Sequence, residues 1–104
     1  MNQLYDSRIK QYFNLKIPDY MQQDTKCFRD YNINDFVNTE WIYAQLDKQN
    51  NNCSICFAPL EVFLNENNIV KSNITIDRND NKISHIKTNC QLLCNMCNCS
   101  KKHI

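Results

Sequence analysis

The clearest hydrophobic periodicity in the chain lies at Glu40-Trp41-Ile42-Tyr43-Ala44-Gln45-Leu46. Ile42 and Leu46 stand four apart with Trp41 and Ala44 flanking that stripe, and Asn38 or Thr39 can cap its start. The pattern predicts a helix over about 39–49 that ends in the polar run Lys48-Gln49-Asn50-Asn51-Asn52. Trp41, on an amphipathic helix, reads as a core anchor rather than a stacking platform.

Upstream, residues 1–34 mix Tyr, Phe, Asp and Lys with little period, apart from Tyr5, Ile9 and Tyr12/Phe13, which share a short helical face. This stretch is expected to be a partly ordered arm, broken at Pro18-Asp19, with Tyr20 and Met21 docking on the rest. Downstream, Leu60–Leu64 is a short apolar run and Asn65-Glu66-Asn67-Asn68 a loop. Ile69-Val70 and the alternating Ile74-Thr75-Ile76 predict short strands. With Asn79-Asp80-Asn81 as a turn, Ile74–Asp77 and Ile83–Ile86 are expected to pair as a hairpin, and the chain from Cys94 onward to form a short helix.

At 104 residues, the chain is expected to fold as one domain with a modest core that gains from a metal staple. No apolar run approaches the roughly 20 residues of a bilayer span, and the first residues lack the apolar core of a signal peptide. The expected location is intracellular, in the cytoplasm or in the nucleus of a eukaryotic host, with no membrane partner and no secretion. In such a compartment the seven cysteines read as metal ligands or buried thiols rather than disulfides. The absence of glycine and the wealth of Asn, Lys, Ile and Tyr reflect an AT-rich coding bias, not a function.

Two Cys-x-x-Cys pairs, Cys53/Cys56 and Cys94/Cys97, carry the strongest chemical signal. Each delivers two sulfurs from one tight turn, and four soft thiolates close a tetrahedral shell around zinc with no open position, so the site is structural. Cys90, Cys99 and His103 are alternative ligands by proximity, while Cys27 and Cys90 read better as buried small residues. A net charge of +1, less about two for a tetrathiolate zinc site, does not announce a nucleic-acid binder.

The Cys-x-x-Cys turn, an Ile-Asp-Arg strand at Ile76-Asp77-Arg78, a downstream Asn89 and the run Leu92-Leu93-Cys94-Asn95-Met96-Cys97-Asn98 together resemble the zinc-binding HNH, or His-Me finger, endonucleases. The likeness is closest to phage junction-resolving endonucleases and to viral and bacterial proteins with Asp-Arg in place of Asp-His. It spans about Gln49 to Lys102 and is most specific over Leu92–Asn98. The resemblance implies an α+β architecture, a zinc-stabilised treble-clef (ββα-metal) finger over 53–104 within a domain of 35–104, preceded by a helical region. It also implies that Asp77 and Asn98 hold one magnesium or manganese ion against a scissile phosphate, while zinc fastens the hairpin to the helix.

The departure lies at Arg78, which stands where the family carries its general-base histidine and cannot accept a proton at physiological pH. Two roles stay open for Arg78, a bidentate grip on phosphate or an ion pair with Asp77 or Asp80. His85 supplies the base if the fold brings it beside Asp77; otherwise it packs or caps in the second strand. Asn89 is expected to organise the turn into Gln91-Leu92-Leu93. Arg78, Lys82, Lys87, Lys101 and Lys102 are the candidate contacts to nucleic acid, DNA before RNA. The competing reading is a finger that has lost catalysis and only binds nucleic acid. A third is a protein-interaction or self-associating module that docks through the helix around Trp41.

Overall fold

The structure, a computed structural model, describes residues 7–101, so that Tyr5, Lys102 and His103 lie outside the described residues. It has an α+β architecture with helices α1 (Ser7–Lys26), α2 (Thr39–Lys48) and α3 (Asn95–Lys101) and strands β1 (Val62–Leu64), β2 (Val70–Ser72), β3 (Ile74–Arg78) and β4 (Cys90–Cys94). The strands form two antiparallel pairs, β1 with β2 and β3 with β4. Among the described residues, no helix is long and apolar enough to cross a membrane.

Within the segment expected as a partly ordered arm, residues 7–26 form the longest helix among the described residues. Ile9 and Phe13 of α1 are fully buried in the same apolar cluster as Ile42, Leu46, Leu60, Leu92 and Leu93, and Ile17, Tyr20 and Met21 pack against it. Pro18 lies inside this helix and does not break it. A proline in a helix interior costs about 3 kcal/mol, and burying one large apolar side chain returns about 1.5–3 kcal/mol, so the Ile9 and Phe13 face outweighs it. Pro18 and Asn14 are both exposed, which leaves water free to solvate the carbonyl that loses its donor.

Helix α1 ends in a paired motif: the Arg29 N–H donates to the Asp24 carbonyl at 2.9 Å and the Phe28 N–H to that of Thr25 at 3.2 Å, with Phe28 at φ 58°. That left-handed step reverses the chain. Helix α2 starts as expected, Asn38 accepting the Trp41 N–H on its side-chain oxygen at 2.8 Å, with Ile42 and Leu46 buried and Trp41 packed on the core.

The partner of β3 is β4, in the register Ile74↔Cys94 through Arg78↔Cys90. The expected pairing with Ile83–Ile86 is therefore wrong. That segment belongs to the connection between the strands and lies outside both sheets, where Ile86 forms an isolated bridge with Phe36. Asn89 explains why: its buried amide donates to the carbonyls of Asp80, Ile83 and Ser84 and accepts the Asp80 N–H, so the connecting loop is satisfied without a strand partner. Asn89 thus organises residues 80–84 before it rather than the segment after it.

Candidate functional site

Cys53 and Cys56 sit in the turn after α2, Cys94 ends β4 and Cys97 lies in the first turn of α3. All four Sγ atoms lie within 4.8 Å of one another, and Cys56 Sγ is 3.7 Å from Cys94 Sγ. Tetrahedral zinc, with Zn–S of about 2.3 Å, holds its sulfurs about 3.8 Å apart, so the cluster could hold a metal ion of this size and geometry.

The surrounding backbone favours thiolate at Cys53. Burial opposes charge on Cys53, but N–H groups of Cys56, Cys94 and Ile55 outweigh it and draw the thiol down to about 6. Side-chain hydrogen bonds with Cys56 and Cys94 push the Cys97 thiol up to about 12, while its own N–H points at Cys94 Sγ at 3.4 Å. Cys90 is buried outside the cluster, as expected; Cys27 is exposed, contrary to expectation, and Cys99 is exposed.

A second constellation is built from β3, α3 and the β3–β4 connection. Asp77, Arg78, His85, Asn98 and Lys101 line one cleft of about 410 Å³, together with Tyr20 and Gln23 of α1. The strand supplies Asp77 and Arg78, α3 supplies Asn98 and Lys101, and the β3–β4 connection supplies His85.

Asp77 is buried, and its Oδ2 accepts from Gln91 Nε2 at 3.1 Å and from the Lys101 ammonium at 2.6 Å. Asn98 donates its Nδ2 to Thr75 Oγ1 at 3.0 Å, a hydroxyl whose own proton goes to the Leu93 carbonyl at 2.9 Å and which therefore accepts from the amide nitrogen. Arg78 directs Nη1 to the carbonyls of Asn81 and Ile83, and these bonds, rather than an ion pair with Asp77 or Asp80, hold it. Of the other candidate cations, Lys87 donates to the Asn34 carbonyl at 3.0 Å, and Lys82 is exposed.

His85 is buried rather than carried on a strand. Its ring Nδ1 and its backbone N–H both lie 2.9 Å from Asp24 Oδ2, while Arg29 Nε lies 2.7 Å from Asp24 Oδ1. Tyr20 packs against the imidazole with ring centroids 4.6 Å apart. Burial lowers the His85 pKa; Asp24 pulls it up, and Arg78 and Arg29 pull it down, with a net shift below the ordinary 6.5. The ring is therefore neutral at neutral pH.

Sequence reasoning missed Asp24 and Arg29 and gave Tyr20 only a docking role; all three come from the segment read as an arm. The one available signal was the spacing Ile9, Phe13, Ile17, Tyr20, Asp24, a continuous helical face on which the last member is charged. No protein-family model, curated protein or solved structure matches the chain.

Proposed function

We propose that the chain is a zinc-stapled nuclease of the HNH type, in which a treble-clef finger acts on the phosphodiester backbone of nucleic acid, DNA before RNA. The observation that carries this reading is the convergence of Asp77, Arg78, His85, Asn98 and Lys101 on one cleft from three separate elements. The turn of Cys53 and Cys56, the β3–β4 pair and α3 follow one another in the order such a finger requires. Zinc is the ion that best suits four thiolates at these separations.

The roles follow from the chemistry of each group. Neutral His85 accepts a proton from the attacking water as that water's oxygen bonds to phosphorus. The P–O bond to the leaving oxygen then breaks, and solvent protonates that oxygen. Arg78 and Lys101 hold the non-bridging oxygens. Asp77 and Asn98 offer oxygen ligands that suit magnesium or manganese, and such an ion would stabilise the charge that develops on the phosphate and the leaving oxygen. Arg78 at the usual base position is no obstacle on this reading, because the proton acceptor stands on the connecting loop.

A second reading, a finger that binds without cleaving, is favoured by the Lys101–Asp77 ion pair. That contact neutralises the carboxylate with a side chain already in place.

Cleavage of single-stranded, duplex and branched DNA by zinc-loaded protein with magnesium or manganese separates the two. For the nuclease, Asp77→Ala and His85→Ala each lower the rate by about 100-fold or more. Cleavage that begins only with Arg78→His would identify the binding-only finger. Inactivity of every variant together with no DNA binding would overturn both and leave an interaction module.

A further inference from the structure

The carboxylate of Asp24 is fully buried and lies outside the finger, on α1. Its three side-chain bonds divide between its two oxygens: Oδ1 faces Arg29 Nε, and Oδ2 faces both the backbone N–H and the ring Nδ1 of His85. Arg29 and the backbone N–H can only donate, so both oxygens must act as acceptors, which an ionised carboxylate does and an amide cannot. Burial works against the charge of Asp24, but the His85 and Arg29 bonds outweigh it and hold the carboxyl below its usual range, so Oδ2 has no proton to give and the 2.9 Å contact places the proton on Nδ1. In a neutral imidazole that leaves Nε2 bare, the form that can take a proton from water.

We propose that Asp24 is the positioning residue of the site: from α1 it fixes the His85 ring with its proton on Nδ1, so that Nε2 serves the cleft as the acceptor. This rests on the nuclease reading for its consequence, though not for its geometry. Arg29 holds the carboxylate in place from the opposite side, and the return of the chain at Phe28 is what brings Arg29 there. Tyr20, two turns or less from Asp24 on the same helix face, covers the ring and limits its rotation. Helix α1 is thus part of the active site rather than an appendage to the finger, and a finger cut away from it would hold an untethered histidine. The arrangement follows the general logic in which a base is oriented by a third group through its far nitrogen.

The test has two arms. Long-range proton–nitrogen NMR of the full, zinc-loaded chain reads the His85 tautomer directly, with His85→Gln used to assign its signals against those of His103. The Nδ1–H form is expected in the natural chain. An Nε2–H ring there would overturn the proposal without any variant needing to fold.

In the second arm, Asp24→Asn places an amide nitrogen against one of the donors. The expected result is a ring that loses its Nδ1–H preference and a kcat lowered by about 100-fold, with KM changed by less than about threefold. A folded Asp24→Asn chain with the natural tautomer and natural kcat would overturn the proposal. If the natural chain shows the Nδ1–H ring but cleaves no nucleic acid under any ion, the nuclease reading fails instead, and with it the catalytic purpose assigned to Asp24.

Discussion

The side-chain amide of Gln49 binds the backbone of Leu92 on both sides, donating from Nε2 to its carbonyl at 2.9 Å and accepting its N–H on Oε1 at 3.1 Å. One glutamine at the end of α2 thereby acts as a missing strand neighbour for β4, immediately before the second cysteine pair. Nε2 also reaches the Asn52 carbonyl at 2.8 Å, tying the first knuckle to the same point. Gln49→Ala removes these bonds and strands a Leu92 N–H within the core. A loss of about 2 kcal/mol is expected, read from the urea unfolding midpoint at constant m. A change below about 0.5 kcal/mol would mean that water replaces the amide.

Removing the ion is expected to abolish the cooperative melt of the finger, because four sulfurs brought within 4.8 Å of one another have little reason to stay together unbridged. A strong chelator and Cys97→Ser should both act this way in circular-dichroism melts, whereas Cys99→Ser, exposed and outside the cluster, should shift stability by less than about 0.5 kcal/mol. Metal analysis should give one ion per folded chain. Unchanged cooperativity after chelation would remove the structural role of the site.

Acid should destabilise the chain in two stages. His85 has a folded pKa below its ordinary 6.5, so the unfolded chain binds the extra proton, and stability present above pH 6.5 is lost as pH falls through the folded value. Asp24 is also lowered, from 3.8, because the His85 and Arg29 bonds outweigh its burial, so its contribution persists above pH 3.8 and fades below it. Urea unfolding of the natural chain and of His85→Gln, compared at pH 7.5, 6.5 and 5.5, isolates the first stage. The gap between the two chains should narrow as pH falls, while proton competition at the thiolates affects both alike. A gap that widens on acidification would reverse the assignment of a buried neutral ring.

Phe28 is almost wholly exposed, at 93%, and holds φ 58° at the end of α1, a position that glycine takes most readily. With no glycine in the chain, the left-handed positions among the described residues fall to Phe28, Asn50, Asn51, Phe57 and Asn68. Asparagine tolerates that region and phenylalanine does so poorly. Phe28→Gly is therefore expected to stabilise the chain by about 0.5–1 kcal/mol in thermal or urea melts, without loss of the Asp24–Arg29 bond. Destabilisation would mean that the aromatic ring makes a contribution its exposure does not reveal.

Local chemistry, and therefore the sequence, was enough to place the α2 cap at Asn38 or Thr39, the apolar pair Ile42 and Leu46, a strand over Ile74–Asp77 and the cysteine cluster. Each depends on neighbours within a few residues or, for Cys53/Cys56 and Cys94/Cys97, on a spacing that repeats. Three other features depended on distant partners and were decided only by the folded chain. Helix α1 survives Pro18 because Ile9 and Phe13 find an apolar cluster built from residues beyond Phe36. Residues 83–86 stay out of the sheet because Asn89 satisfies their loop and β4 takes the place beside β3. His85 and Asp24, far apart in the chain, share a buried hydrogen bond whose strength comes from the low dielectric around it. No pattern along the chain marks that pair, since a buried charge is stable only where the fold brings its partners, and those partners lie on other elements.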